Sequence, residues 1–156
     1  MKILNNLLID LFTDKNKIYT KYNSLNLLNK PELKLSYNYE YYQGAYGFYI
    51  YNDNKMNNKI IINMTYVKNY LEALITIAHE LGHWEHSCKD APDYKYLYEF
   101  AHLDVTDKYE AYKCSCLLEN IADEYGEKYA NMFGILEEYK KSIYNDKLIR
   151  ENKRIA

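Results

Sequence analysis

An α+β fold, a small antiparallel sheet packed on helices, is predicted by three observations. Residues 33–64 carry alternating and β-branched runs divided by turn residues; from Asn69 onward the apolar residues recur every three or four positions; and 48% of the 156 residues are hydrophobic. Such a chain buries a core without disulfide staples and has the length of one domain, 1–156. With 20 Lys+Arg against 22 Asp+Glu, the net charge of −2 is too balanced for a general nucleic-acid binder. No apolar run reaches the roughly 18 residues of a membrane span. Three cysteines, an odd number, build no disulfide framework and fit a reducing cytoplasm.

Taken in chain order, residues 1–30 read as an N-terminal helix and loop. Ile3, Leu7, Leu8 and Leu11 fall at helical spacing, while Asn5, Asn6 and Asp10 interrupt the run and no small-residue cleavage site follows, so no export signal is read. Lys15 to Lys30 is polar, Asn-rich and without strong period, hence a loop with one helical turn at most. Leu33, Leu35 and Tyr37 alternate with polar residues; Tyr46 to Tyr51 precede the turn residues Asn52 and Asp53; Lys59 to Met64 includes Ile60, Ile61 and Ile62. A meander of about three strands is the simplest account.

The clearest helix spans 70–86. Asn69 and Glu72 have capping-box spacing, and Leu71, Leu74, Ile75, Ala78, Leu81 and Trp84 form the apolar stripe. A short helix starting near Asp93 is expected in 91–105. A second long helix, 108–130, is capped by Thr106 or Asp107, with Cys114, Leu117, Leu118, Ile121 and Tyr125 as its stripe. Helical character continues to Lys147. From Tyr139 to the end, six Lys/Arg face Asp146 and Glu151, giving a basic tail of +4 on a remainder of −6. We read it as a solvated helix whose cations suit its C-terminal end, not as a nucleic-acid contact.

Within the clearest helix stands His79-Glu80-Leu81-Gly82-His83, an H-E-x-x-H sequence. Residues four apart share a helical face with Cβ atoms about 5–6 Å apart, so both imidazoles can converge on one Zn2+ at N–Zn distances near 2 Å. Glu80, one step round, then sits beside the ion as a general base for water attacking a carbonyl. With 4 His in the chain, composition alone produces this pattern with a chance of about 0.01.

A tetrahedral catalytic site needs a third protein ligand and an open position. Glu119 on the second long helix is the candidate, with Glu110, Glu124 and Glu127 as nearby alternatives. Asp123, at i+4 from Glu119, shares its face and is placed to accept an N–H from a ligating imidazole, fixing its tautomer. Gly126 would let the two helices approach closely. A metzincin is excluded because its third histidine would fall at Lys89. A structural cluster of His86, Cys88, Cys114 and Cys116 is disfavoured, since Cys114 and Cys116 lie about 200° apart on a helix. His102, alone in its segment, reads as structural, and the 20 Tyr as core and strand packing.

Three pieces carry a resemblance: Lys59-Ile60-Ile61-Ile62-Asn63, Thr76-Ile77-Ala78-His79-Glu80-Leu81-Gly82-His83, and Glu119-Asn120-Ile121-Ala122-Asp123-Glu124-Tyr125-Gly126. Together they resemble the ImmA/IrrE family of small zinc-dependent metallopeptidases with a gluzincin-like site. The resemblance implies a zincin-like two-helix metal core with His79, His83 and Glu119 as zinc ligands and Glu80 as general base. It also implies Ile60, Ile61 and Ile62 as an edge strand beside an extended substrate. It further implies a cytoplasmic metallo-endopeptidase of phage or mobile-element context, acting on a protein partner such as a helix-turn-helix repressor. An interaction protein that keeps the fold and acts by binding alone is the alternative, opposed by the intact Glu80. A secreted broad-specificity protease is opposed by the lack of a signal segment and propeptide.

Overall fold

The computed structural model describes residues 14–38, 45–53, 57–102 and 107–155, with side chains described as far as residue 152. The helix expected over Ile3 to Leu11 lies outside them. Among the described residues the elements run α1 (residues 14–23), β1 (Glu32–Ser36), β2 (Gly47–Ile50), β3 (Lys59–Asn63), α2 (Tyr70–Lys89), α3 (Ala91–His102), α4 (Lys108–Phe133) and α5 (Leu136–Ile155). The class is α+β, as the sequence predicts. Two compact units divide the chain, Met1–Ile77 and Ala78–Ala156, and α2 runs through the junction.

In the first unit α1 occupies most of the segment read from sequence as loop. Ile18 and Tyr22, one turn apart, are buried, which is the amphipathic signal that the surrounding Asn and Lys residues obscure. The Tyr22 hydroxyl donates to the Pro31 carbonyl, and Lys30 Nζ donates to the carbonyls of Tyr22 and Leu25 at 2.9 Å each. These bonds fold the α1–β1 connection back on itself. The Leu35 amide donates to the Tyr19 hydroxyl at 3.0 Å and so ties β1 to α1.

The sheet order is β1-β3-β2. β2 pairs antiparallel with β3, but β1 pairs parallel with it, Leu33 opposite Ile60 and Leu35 opposite Ile62. The sheet is therefore mixed where an antiparallel meander was expected. The edge-strand expectation for Ile60, Ile61 and Ile62 is also corrected: β3 is the central strand, hydrogen-bonded on both sides, and these side chains are 0%, 5% and 0% exposed. With both backbone edges paired, β3 has nothing to offer a substrate strand. Unbroken β-branched burial is what a central, two-sided strand demands. On β2, a Cβ at Gly47 would lie 2.7 Å from Thr76 Cγ2, so the strand runs close against the first turns of α2.

The start of α2 is capped as its sequence implies. The Glu72 amide donates to Asn69 Oδ1 at 2.9 Å, and Glu72 Oε2 accepts from the Lys68 amide at 2.9 Å. From Glu80 to Ser87 every residue of α2 is buried, so the helix is closed off around its whole circumference there and runs on to Lys89. In the second unit, Asp107 caps α4 by accepting from the Tyr109 and Glu110 amides. Helical character continues to Lys147 as expected and on to Ile155, but in two helices: Gly134, at φ 76°, ends α4, and α5 begins at Leu136. α4 packs against both α3 and α5. Its buried face runs through Cys114, Leu118, Ala122, Gly126 and Ala130, whereas Leu117 of the expected stripe is 44% exposed.

Candidate metal centre

Small residues set the distance between the two helices that carry the site. A Cβ at Gly82 would lie 2.0 Å from the Ala122 carbonyl oxygen, and one at Gly126 would lie 2.8 Å from the Ala78 carbonyl oxygen. Ala78 and Gly82 on α2 therefore face Gly126 and Ala122 on α4, and the helices run antiparallel with backbones in contact. The approach expected at Gly126 is present, and Gly82 makes a second one. At this separation the short carboxylates of α4 reach the imidazoles of α2.

His79 Nε2 lies 2.8 Å from Glu119 Oε2, and His83 Nε2 lies 3.3 Å from Glu119 Oε1. The two imidazole rings stand edge to face, 88° apart, with centroids 4.8 Å from each other. One ligand atom from each of His79, His83 and Glu119 falls within a 4.8 Å span, and this is the group among the described residues able to hold a metal ion. Tetrahedral ligands at about 2.0–2.1 Å from zinc stand roughly 3.3 Å apart; the two imidazole–carboxylate separations, 2.8 and 3.3 Å, are near that value, within a set that spans up to 4.8 Å. Two imidazole nitrogens, each a ligand once its proton is gone, with one carboxylate are also a donor set for such an ion, so the residues fit the group.

The other nitrogen of His79 has its own partner. Asp123 Oδ1 lies 2.9 Å from His79 Nδ1, the contact that the expected role of Asp123 requires. Burial alone would lower the His79 pKa, but hydrogen bonds to Asp123 and Glu119 and the charges of Glu119 and Glu80 lift it well above the ordinary imidazole value. Burial would raise Glu119, yet His79 and His83 hold its carboxyl far below the usual range. Glu80, 6% exposed, is pushed up by burial, a rise that the two imidazoles partly oppose and Glu119 reinforces. His83 Nδ1 is buried without a hydrogen-bond partner, with the Tyr94 ring edge-on to the imidazole at 6.4 Å.

Two contributors were not read from the sequence. From α5, Arg150 Nη2 donates to Asp123 Oδ2 at 2.8 Å and to Asn120 Oδ1 at 3.0 Å. The Tyr139 hydroxyl donates to the Asp123 main-chain oxygen at 2.9 Å. The sequence signal that could have drawn attention to Arg150 is scarcity: the chain has 18 Lys but only 2 Arg, and Arg alone brings a planar fork.

The remaining candidates stand apart from the centre. His86 Nε2 lies 2.8 Å from Asp93 Oδ2, joining α2 to α3, and its ring meets those of Tyr94 and Tyr125. His102 is exposed, donates from Nδ1 to the Tyr98 carbonyl and stacks on Tyr98. All three cysteines are free, Cys88 exposed and Cys114 buried, and they enter no metal group among the described residues. No helix among the described residues is long and apolar enough to cross a membrane.

Compared with protein-family models, with curated proteins and with solved structures, the chain matches none.

Proposed function

We propose that the protein is a zinc-dependent metallo-endopeptidase of the ImmA/IrrE kind, acting in the cytoplasm on a specific protein substrate such as a repressor of a prophage or mobile element. The observation that carries this reading is the convergence of His79 Nε2 and His83 Nε2 on the two oxygens of Glu119, with Glu80 buried one residue along the same helix. His79, His83 and Glu119 would hold the ion, which supplies Lewis acidity that lowers the pKa of water toward neutrality and polarises a carbonyl.

The chain's own groups divide the remaining work. Asp123 accepts the Nδ1 proton of His79 and keeps Nε2 turned to the centre. The Glu80 carboxylate takes a proton from the attacking water and passes it to the leaving amine, so one group serves both halves of the hydrolysis. A protein acting by binding alone would have no use for a buried carboxylate at that position.

Glu80→Gln tests the reading, because it keeps the size of the side chain and removes its basicity. New protein N termini in cells expressing wild type, absent from cells expressing the variant at equal zinc content, are expected. Identical sets of N termini would favour the binding-only alternative.

A further inference from the structure

We propose that Arg150 is a positioning residue of the metal centre: from α5 it fixes the plane of the Asp123 carboxylate, and through it the orientation of His79. The inference rests on the metal-site reading above. The two oxygens of Asp123 are divided between two partners. Oδ1 accepts from His79 Nδ1 at 2.9 Å and Oδ2 accepts from Arg150 Nη2 at 2.8 Å. A carboxylate held at one oxygen only can turn about its Cβ–Cγ bond and swing the other oxygen off the imidazole. Held at both, it cannot turn without breaking a charge-assisted hydrogen bond.

The guanidinium is itself held in place. The two hydrogens of Nη2 lie in the guanidinium plane at a fixed angle, and they are taken by Asp123 and by Asn120, three residues apart on one face of α4. The Arg150 main-chain oxygen accepts from the Tyr112 hydroxyl, which ties the backbone of α5 to α4 at this residue. On the opposite side Tyr139, also from α5, donates to the main-chain oxygen of Asp123. Side-chain exposures of 20% for Arg150 and 10% for Asp123 keep water from competing freely for these bonds. A lysine would bring the charge without the planar pair of N–H groups, so the geometry calls for Arg in a chain that otherwise uses Lys.

Zinc affinity of the full chain, measured by competition with a chromophoric chelator, tests the proposal, with the visible spectrum of the Co2+-loaded protein as a second readout. Arg150→Ala should weaken zinc binding about 10-fold, the lower end of what outer partners of ligating histidines contribute, and should shift the cobalt bands. Arg150→Lys should recover only part of the loss. Millimolar guanidinium should restore affinity to Arg150→Ala. Because Arg150 acts through Asp123, its removal from the Asp123→Asn protein should change affinity by less than about 2-fold.

Undiminished zinc affinity in both Arg150 variants, or losses from Arg150 and Asp123 that multiply, would overturn the proposal while leaving the metal site standing. Should Arg150→Ala fail to fold, the same comparison with Arg150→Lys, alone and with Asp123→Asn, decides it. If wild type itself takes up no zinc, the metal-site reading fails and this inference with it.

Discussion

Gly82 and Ala122 are the point at which two helix backbones touch: a Cβ on Gly82 would lie 2.0 Å from the Ala122 carbonyl oxygen and 2.8 Å from its carbonyl carbon. The obstructing atoms are backbone, so no side-chain rotation relieves the clash. Gly82→Ala should therefore push α2 and α4 apart, lowering stability by about 1–3 kcal/mol. It should also weaken zinc binding, because the ligands come from both helices. Denaturant unfolding and zinc titration of the variant check this. Gly134→Ala is the control: φ there is 76° but nothing lies within 4 Å of the added carbon, so a loss of about 1 kcal/mol with intact zinc binding is expected.

Asp123→Asn keeps the size of the side chain and removes the charge that fixes the His79 tautomer. Zinc affinity should fall about 10–100-fold with the helical circular dichroism spectrum retained. An unchanged zinc dissociation constant would remove Asp123 from the site.

The central helix and the residues of the candidate site were legible because their signals are local. The Asn69–Glu72 cap, the i, i+4 pair His79 and His83, and the i, i+4 pair Glu119 and Asp123 each lie within one or two turns, and one helix fixes their geometry. What was not legible depends on distant partners. The mixed order β1-β3-β2 is set by pairing between strands with long connections, and a run such as Ile60-Ile61-Ile62 reads alike in edge and centre. Arg150 lies 27 residues from Asp123 and meets it only because Gly134 turns the chain back. Gly134 itself was readable as a helix stop, but the charged run after it resembles a continuing helix.

Zinc uptake should depend on pH in a stated direction. In the metal-free protein, the raised His79 pKa means that its pairing stabilises the fold below the ordinary imidazole value and is lost as pH rises through the folded value. The depressed Glu119 pKa means that its contribution is present above the ordinary carboxylate value and lost as pH falls. A cation must displace the His79 proton. Zinc affinity, and the rise in melting temperature on adding zinc, should therefore both grow between about pH 5.5 and pH 8. Proton release on loading, seen as a binding enthalpy that varies with the buffer, is the accompanying signature.

The metal content of the purified protein tests the central claim most directly. One zinc per chain is expected in wild type by elemental analysis after dialysis against metal-free buffer. His83→Ala and Glu119→Ala should each lose most of it, since each leaves two of the three protein ligands. Wild type without zinc, or zinc retained in full by both variants, would contradict a centre built from His79, His83 and Glu119.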